Sequence, residues 1–96
     1  MTLAAVVVTF NRRAQIEITL DRLLAEPVDH VIVVDNGSTD GTREWFETLT
    51  DPRLRFILAE ANLGGAGGFE AGLRAAMAEI DPDWIVVMDD DARPEP

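Results

Sequence analysis

The sequence predicts an α/β fold, in which a mostly parallel sheet of about four strands carries three helices in a three-layer sandwich. Three observations lead to this prediction. Short β-branched apolar runs alternate along the chain with stretches of helical periodicity. Proline, glycine or asparagine marks each boundary between the two kinds of segment. The length of 96 residues suits one domain with a modest core.

The first unit begins with Leu3–Thr9, a continuous apolar run typical of a strand that is buried on both faces of a parallel sheet. Asn11 then offers a cap for a helix. Pro27 lies just past the end of that helix. One face of the helix carries the apolar residues Ile16, Leu20, Leu23 and Leu24.

The second unit repeats the pattern, with a strand over residues 28–35 and turn chemistry directly after it. The next helix is predicted to be closed by Pro52, and a third strand follows at Leu54–Leu58. Ser38, Thr39 and Asp40 are the candidate caps of this helix, which carries Trp45, Phe46 and Leu49.

The last unit starts with a glycine-rich segment over residues 62–68, which we predict to be a loop. A third helix follows over about residues 69–80 and ends before Pro82. The fourth strand, residues 84–88, is predicted to be buried, and it runs into the Asp run, residues 89–91. In open parallel sheets, ligands bind beyond the carboxyl ends of the strands. We therefore expect residues 9–13, residues 35–39, the glycine-rich segment and the Asp run to share one edge.

The Asp run is a candidate metal site. In extended backbone Asp89 and Asp91 point to the same side, and two carboxylates suit a hard cation such as Mn²⁺ or Mg²⁺, which also takes diphosphate oxygens as ligands. The alternative is a solvated acidic turn, which its place after an apolar strand disfavours. Asp35 ends the second strand in the same way, and either contacts a ribose or base or shapes a turn.

Two further features of this edge have open alternatives. Backbone N–H groups of the glycine-rich segment could approach phosphate, or its glycines could allow close packing. The segment does not match the dinucleotide fingerprint G-x-G-x-x-G, because Glu70 stands where the third glycine is needed. Arg12 and Arg13 either meet a phosphate or face solvent at the start of the first helix.

Charge and composition exclude several functions. The formal net charge of -10 argues against a nucleic-acid partner. The chain has no cysteine and no lysine, which excludes thiolate metal sites, a P-loop lysine and Schiff-base chemistry. No apolar run has the length of a membrane span, and the N-terminal run lacks the order of a signal peptide. We expect a cytoplasmic location.

Four segments together resemble a known family. The segments are residues 6–12 (VVVTFNR), 33–42 (VVDNGSTDGT), 62–69 (NLGGAGGF) and 88–91 (MDDD). They look like the N-terminal half of a family 2 glycosyltransferase, and this half would form part of the Rossmann-like GT-A fold. The glycine-rich segment with the Asp run is most similar to galactofuranosyltransferases and less so to rhamnosyltransferases. The resemblance implies inverting transfer from a nucleoside-diphosphate sugar, with a UDP-sugar favoured, to a saccharide or lipid-linked acceptor in cell-wall polysaccharide biosynthesis.

The resemblance also implies residue roles. Asp89 would face the ribose or the metal, and Asp91 would ligate Mn²⁺ or Mg²⁺ against the diphosphate. Thr9 and Phe10 would line the base pocket, and Asp35 would contact the base or ribose. The remaining residues expected to bind the nucleotide sugar are Arg12, Asn62, Gly65 and Asp90.

Members of this family continue well beyond the Asp run, and their later half supplies the acceptor site and the catalytic base. We therefore expect residues 1–96 to be a truncated donor-binding part that is inactive alone, self-associates, and in the full-length protein lies peripherally at the inner face of the membrane. One alternative is a non-catalytic nucleotide-sugar-binding or assembly module. A signalling receiver domain is disfavoured, because it needs an Asp cluster after the first strand and a late lysine.

Overall fold

The computed structural model of the chain describes residues 2–60 and 64–89. Strands and helices alternate as the sequence predicts. The third helix does not end in α form, because its last five residues, Ala76–Ile80, form a π-helix. In chain order the elements are β1 (Leu3–Thr9), α1 (Arg13–Leu24), β2 (His30–Asp35), α2 (Thr42–Phe46), β3 (Leu54–Leu58), α3 (Gly64–Ala75) and β4 (Trp84–Asp89).

The four strands form one parallel sheet in the order β3-β2-β1-β4. The two central strands are the most apolar ones, and their interior side chains are almost wholly buried. Runs of valine and isoleucine suit this position, because a central parallel strand is covered on both faces and β-branched side chains pack well on a pleated surface. The predicted α/β class and the parallel sheet are confirmed.

Helices cover both faces of the sheet, which makes three layers. On one face, α1 and α2 pack on alternate residues of β1 and β2, including Val7 and Val33. On the other face, α3 and its π-helical end pack on the intervening residues, including Val6 and Val34. The predicted apolar face of α1 is confirmed, since Ile16, Leu20 and Leu23 are buried. Within the described ranges, no helix has the length and apolar character of a membrane span.

The prediction that β4 is a buried strand is wrong for the part of the chain that the structure describes. Among the described residues, β4 lies at the edge of the sheet and pairs only with β1. Trp84 is 62% exposed, and Val86 and Val87 are each 43% exposed. An apolar strand sequence does not reveal whether the strand is central or at an edge, because that depends on which strands pair with it.

The predicted caps are also wrong. The N-cap of α1 is Arg12, without a side-chain hydrogen bond, and Asn11 adopts a left-handed conformation with φ of 49°. The N-cap of α2 is Gly41, and this helix ends at Phe46, so that Leu49 lies outside it. The polar residues before both helices form hydrogen bonds between the loops, and Asp40 also bonds to the start of α2.

The glycine-rich segment is helical, not a loop, where the structure describes it. α3 begins at Gly64, five positions before the predicted start. A Cβ atom on Gly68 would lie 2.8 Å from Val8 Cγ1, and one on Gly72 would lie 2.3 Å from Val6 Cγ1. Real Cβ contacts are essentially never that short, so these glycines allow the helix to approach the sheet closely. Close packing is thus what the structure attributes to Gly68 and Gly72.

Candidate functional site

The ends of three strands meet at one edge of the sheet. Thr9, the last residue of β1, pairs with Asp35, the last residue of β2. Asp89, the last residue of β4, pairs with Val8, one position before Thr9. The prediction that separate sequence motifs share one edge is confirmed for these strand ends. Open parallel sheets bind ligands at this edge.

The loop after β1 and the loop after β2 are joined by hydrogen bonds. The Asn11 N–H donates to Ser38 Oγ at 2.9 Å, and the Thr39 N–H donates to Asn11 Oδ1 at 2.7 Å. The Arg13 N–H donates to Asp40 Oδ2 at 3.0 Å. Asparagine tolerates the left-handed backbone better than most residues. These contacts explain why Asn11 and Ser38 are polar without capping a helix.

Asp40 organises the start of α2. Its Oδ1 accepts hydrogen bonds from the backbone N–H of Thr42 at 3.2 Å and from the Thr42 hydroxyl. The hydroxyl bond is the main cause that lowers the pKa of Asp40; burial opposes this effect, and the Arg13 N–H lowers the pKa further. Asp40 is therefore a loop-building residue whose carboxylate is stabilised in the charged form.

Asp35 is fully buried, and its two carboxylate oxygens have different partners. Oδ1 accepts hydrogen bonds from the backbone N–H of Ser38 at 3.1 Å and from Ser38 Oγ at 2.5 Å. Oδ2 accepts a hydrogen bond from Arg43 Nε at 2.5 Å. The turn-forming interpretation of Asp35 therefore holds, and its contact with a ribose or base stays a prediction. A ligand reaches this carboxylate only if a covering side chain shifts.

Arg43 is the residue of this edge that the sequence analysis missed. Besides Asp35, it donates to the backbone carbonyl of Ala59, directly after β3. An arginine in a short helix ordinarily faces solvent, and its sequence neighbours do not identify its partner. The sequence signal that could have identified Arg43 is a single positive charge eight positions after Asp35, the residue that ends β2.

Thr9 and Phe10 differ in accessibility. Thr9 is 1% exposed, and its backbone carbonyl accepts the N–H of Asn36 at 2.9 Å. Phe10 is 42% exposed, so that an apolar ring is open to solvent at the edge of the sheet. Asn36 is buried and donates through Nδ2 to the Gly64 carbonyl at 3.2 Å. It thereby connects the ends of β1 and β2 to the first residue of α3.

The other predicted site residues have these positions. Arg12 is exposed, and its carbonyl accepts the N–H of Ile16 at 2.9 Å, which begins α1. The backbone of Gly65 lies in the first turn of α3. Asn62, Asp90 and Asp91 lie outside the described residues. Their predicted roles stay predictions.

The predicted metal site begins at the last residue of β4. Asp89 ends β4, and its backbone pairs with β1. The structure describes no side chain of the Asp run. Residues 2–60 and 64–89 contain no group of three acidic or histidine side chains placed to hold a metal ion. The metal site at the Asp run stays a prediction.

A groove of about 410 Å³ lies elsewhere, between α1 and the segment that contains α2. It contains none of the predicted site residues, and it lies on the side of the sheet that these helices cover. We therefore do not assign the nucleotide to it. Its lining residues are Glu17, Ile18, Leu20, Asp21, Leu24, Trp45 and Leu49.

The chain is similar to curated glycosyltransferases over most of its length. Galactofuranosyltransferase GlfT1 of Mycolicibacterium smegmatis is 41% identical over 92 residues, which cover 94% of this chain and 30% of that protein. The undecaprenyl-phosphate mannosyltransferase of Micrococcus luteus is 33% identical over 99 residues, which cover 40% of that protein. The chain thus spans about a third of the length of these relatives.

Solved structures share the fold. The mannosyltransferase PcManGT of Pyrobaculum calidifontis, in complex with GDP-Man and Mn²⁺, matches 98% of this chain and 28% of its own with a TM-score of 0.75 at 29% identity. TarS residues 1–349 of S. aureus, in complex with UDP-GlcNAc, match 95% of this chain and 27% of their own with a TM-score of 0.75 at 26% identity. Both neighbours have the GT-A glycosyltransferase fold, which confirms the expected fold family.

The family model "Glycosyl transferase family 2" matches residues 4–96, nearly the whole chain. The match includes the ends of all four strands and the residues that follow them. Together with the parallel sheet and its polar edge, this match establishes that the chain belongs to glycosyltransferase family 2.

Proposed function

We propose that the chain binds a nucleoside-diphosphate sugar, with a UDP-sugar favoured, together with Mn²⁺ or Mg²⁺ at the carboxyl edge of the sheet. The bound sugar would be the donor for inverting transfer to a saccharide or lipid-linked acceptor. One observation carries the proposal: Thr9 and Asp35 are paired neighbours, and Asp89 ends the strand on the other side of β1. A nucleotide that spans these strand ends would lie beside all three.

The exposed ring of Phe10 supports a base pocket at this edge, because an accessible aromatic face can stack on a base. Asp35 would contact the base or ribose through its carboxylate, and Thr9 would form the floor of the pocket, as expected for a buried residue. The remaining contacts with the nucleotide sugar are assigned to Arg12, Asn62, Gly65, Asp89 and Asp90.

The proposed metal ligands are Asp89 and Asp91. Carboxylate oxygens are the ligands that Mn²⁺ and Mg²⁺ prefer, and the strand end places Asp89 beside β1, where the diphosphate would lie. When bound, such an ion neutralises charge that develops on the departing nucleoside diphosphate. The presence of Mn²⁺ with GDP-Man in the Pyrobaculum mannosyltransferase supports this assignment.

For the transferred sugar we propose galactofuranose. The supporting observation is similarity to two galactofuranosyltransferases of M. smegmatis, GlfT1 at 41% identity and GlfT2 at 37% identity. This assignment places the protein in the synthesis of cell-wall polysaccharide. Similarity to mannosyltransferases at 33% and 34% identity makes GDP-Man the donor to compare.

Calorimetric titration of the chain with UDP tests the donor site. In the presence of Mn²⁺ we expect binding that disappears with chelator and in Asp91→Ala, because the diphosphate loses its counter-charge. Asp21→Asn is the matched control, since Asp21 is an exposed carboxylate on α1 and lies outside the site. Absence of metal-dependent binding of both UDP and GDP by the folded chain would refute the proposal.

A transfer assay separates catalysis from binding alone. The protein that carries this chain is incubated with UDP-galactofuranose, UDP-galactopyranose or GDP-Man and a lipid-linked saccharide acceptor. We expect product from the galactofuranose donor with inverted anomeric configuration. Tight nucleotide-sugar binding without any transfer would favour a non-catalytic binding module.

A further inference from the structure

Arg43 connects the ends of two adjacent strands at the proposed nucleotide edge. Its Nε donates to Asp35 Oδ2, and a terminal nitrogen donates to the carbonyl of Ala59. The N–H of Ala59 in turn donates to the backbone carbonyl of Asp35 at 2.9 Å. One guanidinium therefore holds the carboxylate that ends β2 and the backbone that leaves β3.

Because Asp35 is buried, loss of its ion pair with Arg43 would be costly. The side chain of Asp35 is 0% exposed and that of Arg43 is 31% exposed. A buried carboxylate needs a counter-charge or several hydrogen bonds to stay ionised, and the described contacts supply it with one positive charge, that of Arg43. Loss of Arg43 would leave the buried carboxylate of Asp35 without its charged partner, so that the side chain would turn away from its present orientation.

The hydrogen bonds also limit what Asp35 can offer to a ligand. An ionised carboxylate has about four acceptor positions. Ser38 takes two of these positions and Arg43 takes one. About one acceptor position is therefore left for a ribose hydroxyl or a base N–H, which reaches it when a side chain that covers the buried carboxylate shifts. Its direction depends on how Arg43 holds Oδ2.

We propose that Arg43 is a positioning residue for nucleotide binding. It orients the free acceptor position of Asp35 and ties the chain that leaves β3 to the same frame, without touching the ligand. This inference rests on the proposed function, in which Asp35 contacts the base or ribose. It predicts that the effect of Arg43 on affinity passes through Asp35 and vanishes for ligands that do not reach Asp35.

The test measures two ligands in the presence of Mn²⁺, UDP and inorganic pyrophosphate, by calorimetry on the chain. Arg43→Gln should weaken UDP binding about ten-fold, because UDP would lose its charge-assisted hydrogen bond to Asp35. The affinity for pyrophosphate should stay unchanged. Arg74→Gln is the matched control, because Arg74 also pairs with a carboxylate but is 80% exposed on α3. We expect it to change neither affinity.

A double-mutant cycle identifies the route of the effect. In the Asp35→Asn background, Arg43→Gln should add less than about a two-fold further loss, since coupled residues give non-additive effects. Thermal unfolding of each variant establishes that it is folded at the temperature of the titration. If Arg43→Gln does not fold, Arg43→Lys replaces it. Lysine keeps the positive charge at Asp35 but lacks the forked guanidinium that also reaches Ala59. The same selective loss of affinity for UDP is expected.

Four outcomes would overturn the inference. Unchanged UDP affinity in the folded variant would exclude a positioning role while the proposed function stands. Equal loss for UDP and pyrophosphate, or full additivity with Asp35→Asn, would mean that Arg43 acts on phosphate or on the whole fold. Failure of the wild-type chain to bind UDP would remove the proposed function and this inference with it.

Discussion

Gly72 is the position where a single added methyl group tests the packing of α3 on the sheet. An alanine Cβ there would lie 2.3 Å from Val6 Cγ1 and 3.2 Å from Val34 Cγ2. Contacts between real Cβ atoms and their neighbours ordinarily begin at 3.4 Å, so the closer contact is too short by roughly 1 Å. Gly72→Ala therefore forces a movement of the helix or the strand.

The strand cannot move easily. Val6 is fully buried in β1 and is paired on both sides, with Ile32 in β2 and Val87 in β4. Overpacking of a well-packed core costs about 1–3 kcal/mol. Alanine regains about 1 kcal/mol relative to glycine inside a helix. Because the overlap is large, we expect a net loss of about 1–2 kcal/mol in the free energy of unfolding.

Urea unfolding followed by tryptophan fluorescence measures this loss, and a Tm lower by roughly 5–15 °C should accompany it. Position 70 in the same helix provides the control. Glu70 is exposed and pairs only with Arg74 among its described ion-pair contacts. The difference between Glu70→Ala and Glu70→Gly gives the helix propensity of alanine over glycine without burial.

The expected signs are opposite at the two positions. Alanine should be more stable than glycine at position 70 and less stable than glycine at position 72. A Gly72→Ala chain that is as stable as wild type, or more so, with an unchanged dependence on urea would refute the packing argument. Helix α3 would then lie further from β1 than the structure places it.

Three further predictions concern the loops and the charges. Asn11→Gly should lose about 1 kcal/mol, because Thr39 loses its acceptor, and Asn11→Ala should lose about 1 kcal/mol more, since alanine is strained at a φ of 49°; equal losses in urea unfolding would contradict this. Hydrogen bonds from Arg53 lower the pKa of Asp51 to about 2 from 3.8, so its stabilisation is present above pH 3.8 and is lost as the pH falls toward 2. The stability difference between wild type and Asp51→Asn should therefore shrink over that range, and a constant difference would refute the assignment. Asp89→Asn should weaken Mn²⁺-dependent UDP binding about ten-fold or more without a change of fold, as circular dichroism would verify, and unchanged affinity would exclude Asp89 as a ligand.

Much of the candidate site follows from the sequence because of strand polarity. Once β1, β2 and β4 are recognised as parallel, their carboxyl ends share one edge, and Thr9, Asp35 and Asp89 are brought there by connectivity alone. The identity of the family follows from the same motifs, because they combine in one order and spacing.

The surroundings of these residues could not be predicted in the same way. Asp35 was expected to meet a ribose or to form a turn, and its partner Arg43 was overlooked. Asn11 and Asp40 were expected to be the N-caps of helices. Asn11 instead accepts the N–H of Thr39 in the other loop, and Asp40, from outside the N-cap position, accepts the N–H groups that begin α1 and α2. The local sequence shows only which nearby backbone groups a polar side chain could bond to. Donors and acceptors far along the chain decide which of these hydrogen bonds form.

The sequence by itself determined three features: the succession of strands and helices along the chain, the apolar faces, and the edge at which polar residues gather. These features depend on periodicity and connectivity. Only the tertiary structure decided that β4 lies at the edge of the described sheet and that the glycine-rich segment continues into a helix. Both depend on contacts between residues far apart in the chain, such as Gly72 with Val6. The position of Arg43 between Asp35 and Ala59 has the same origin, since three separate elements create it.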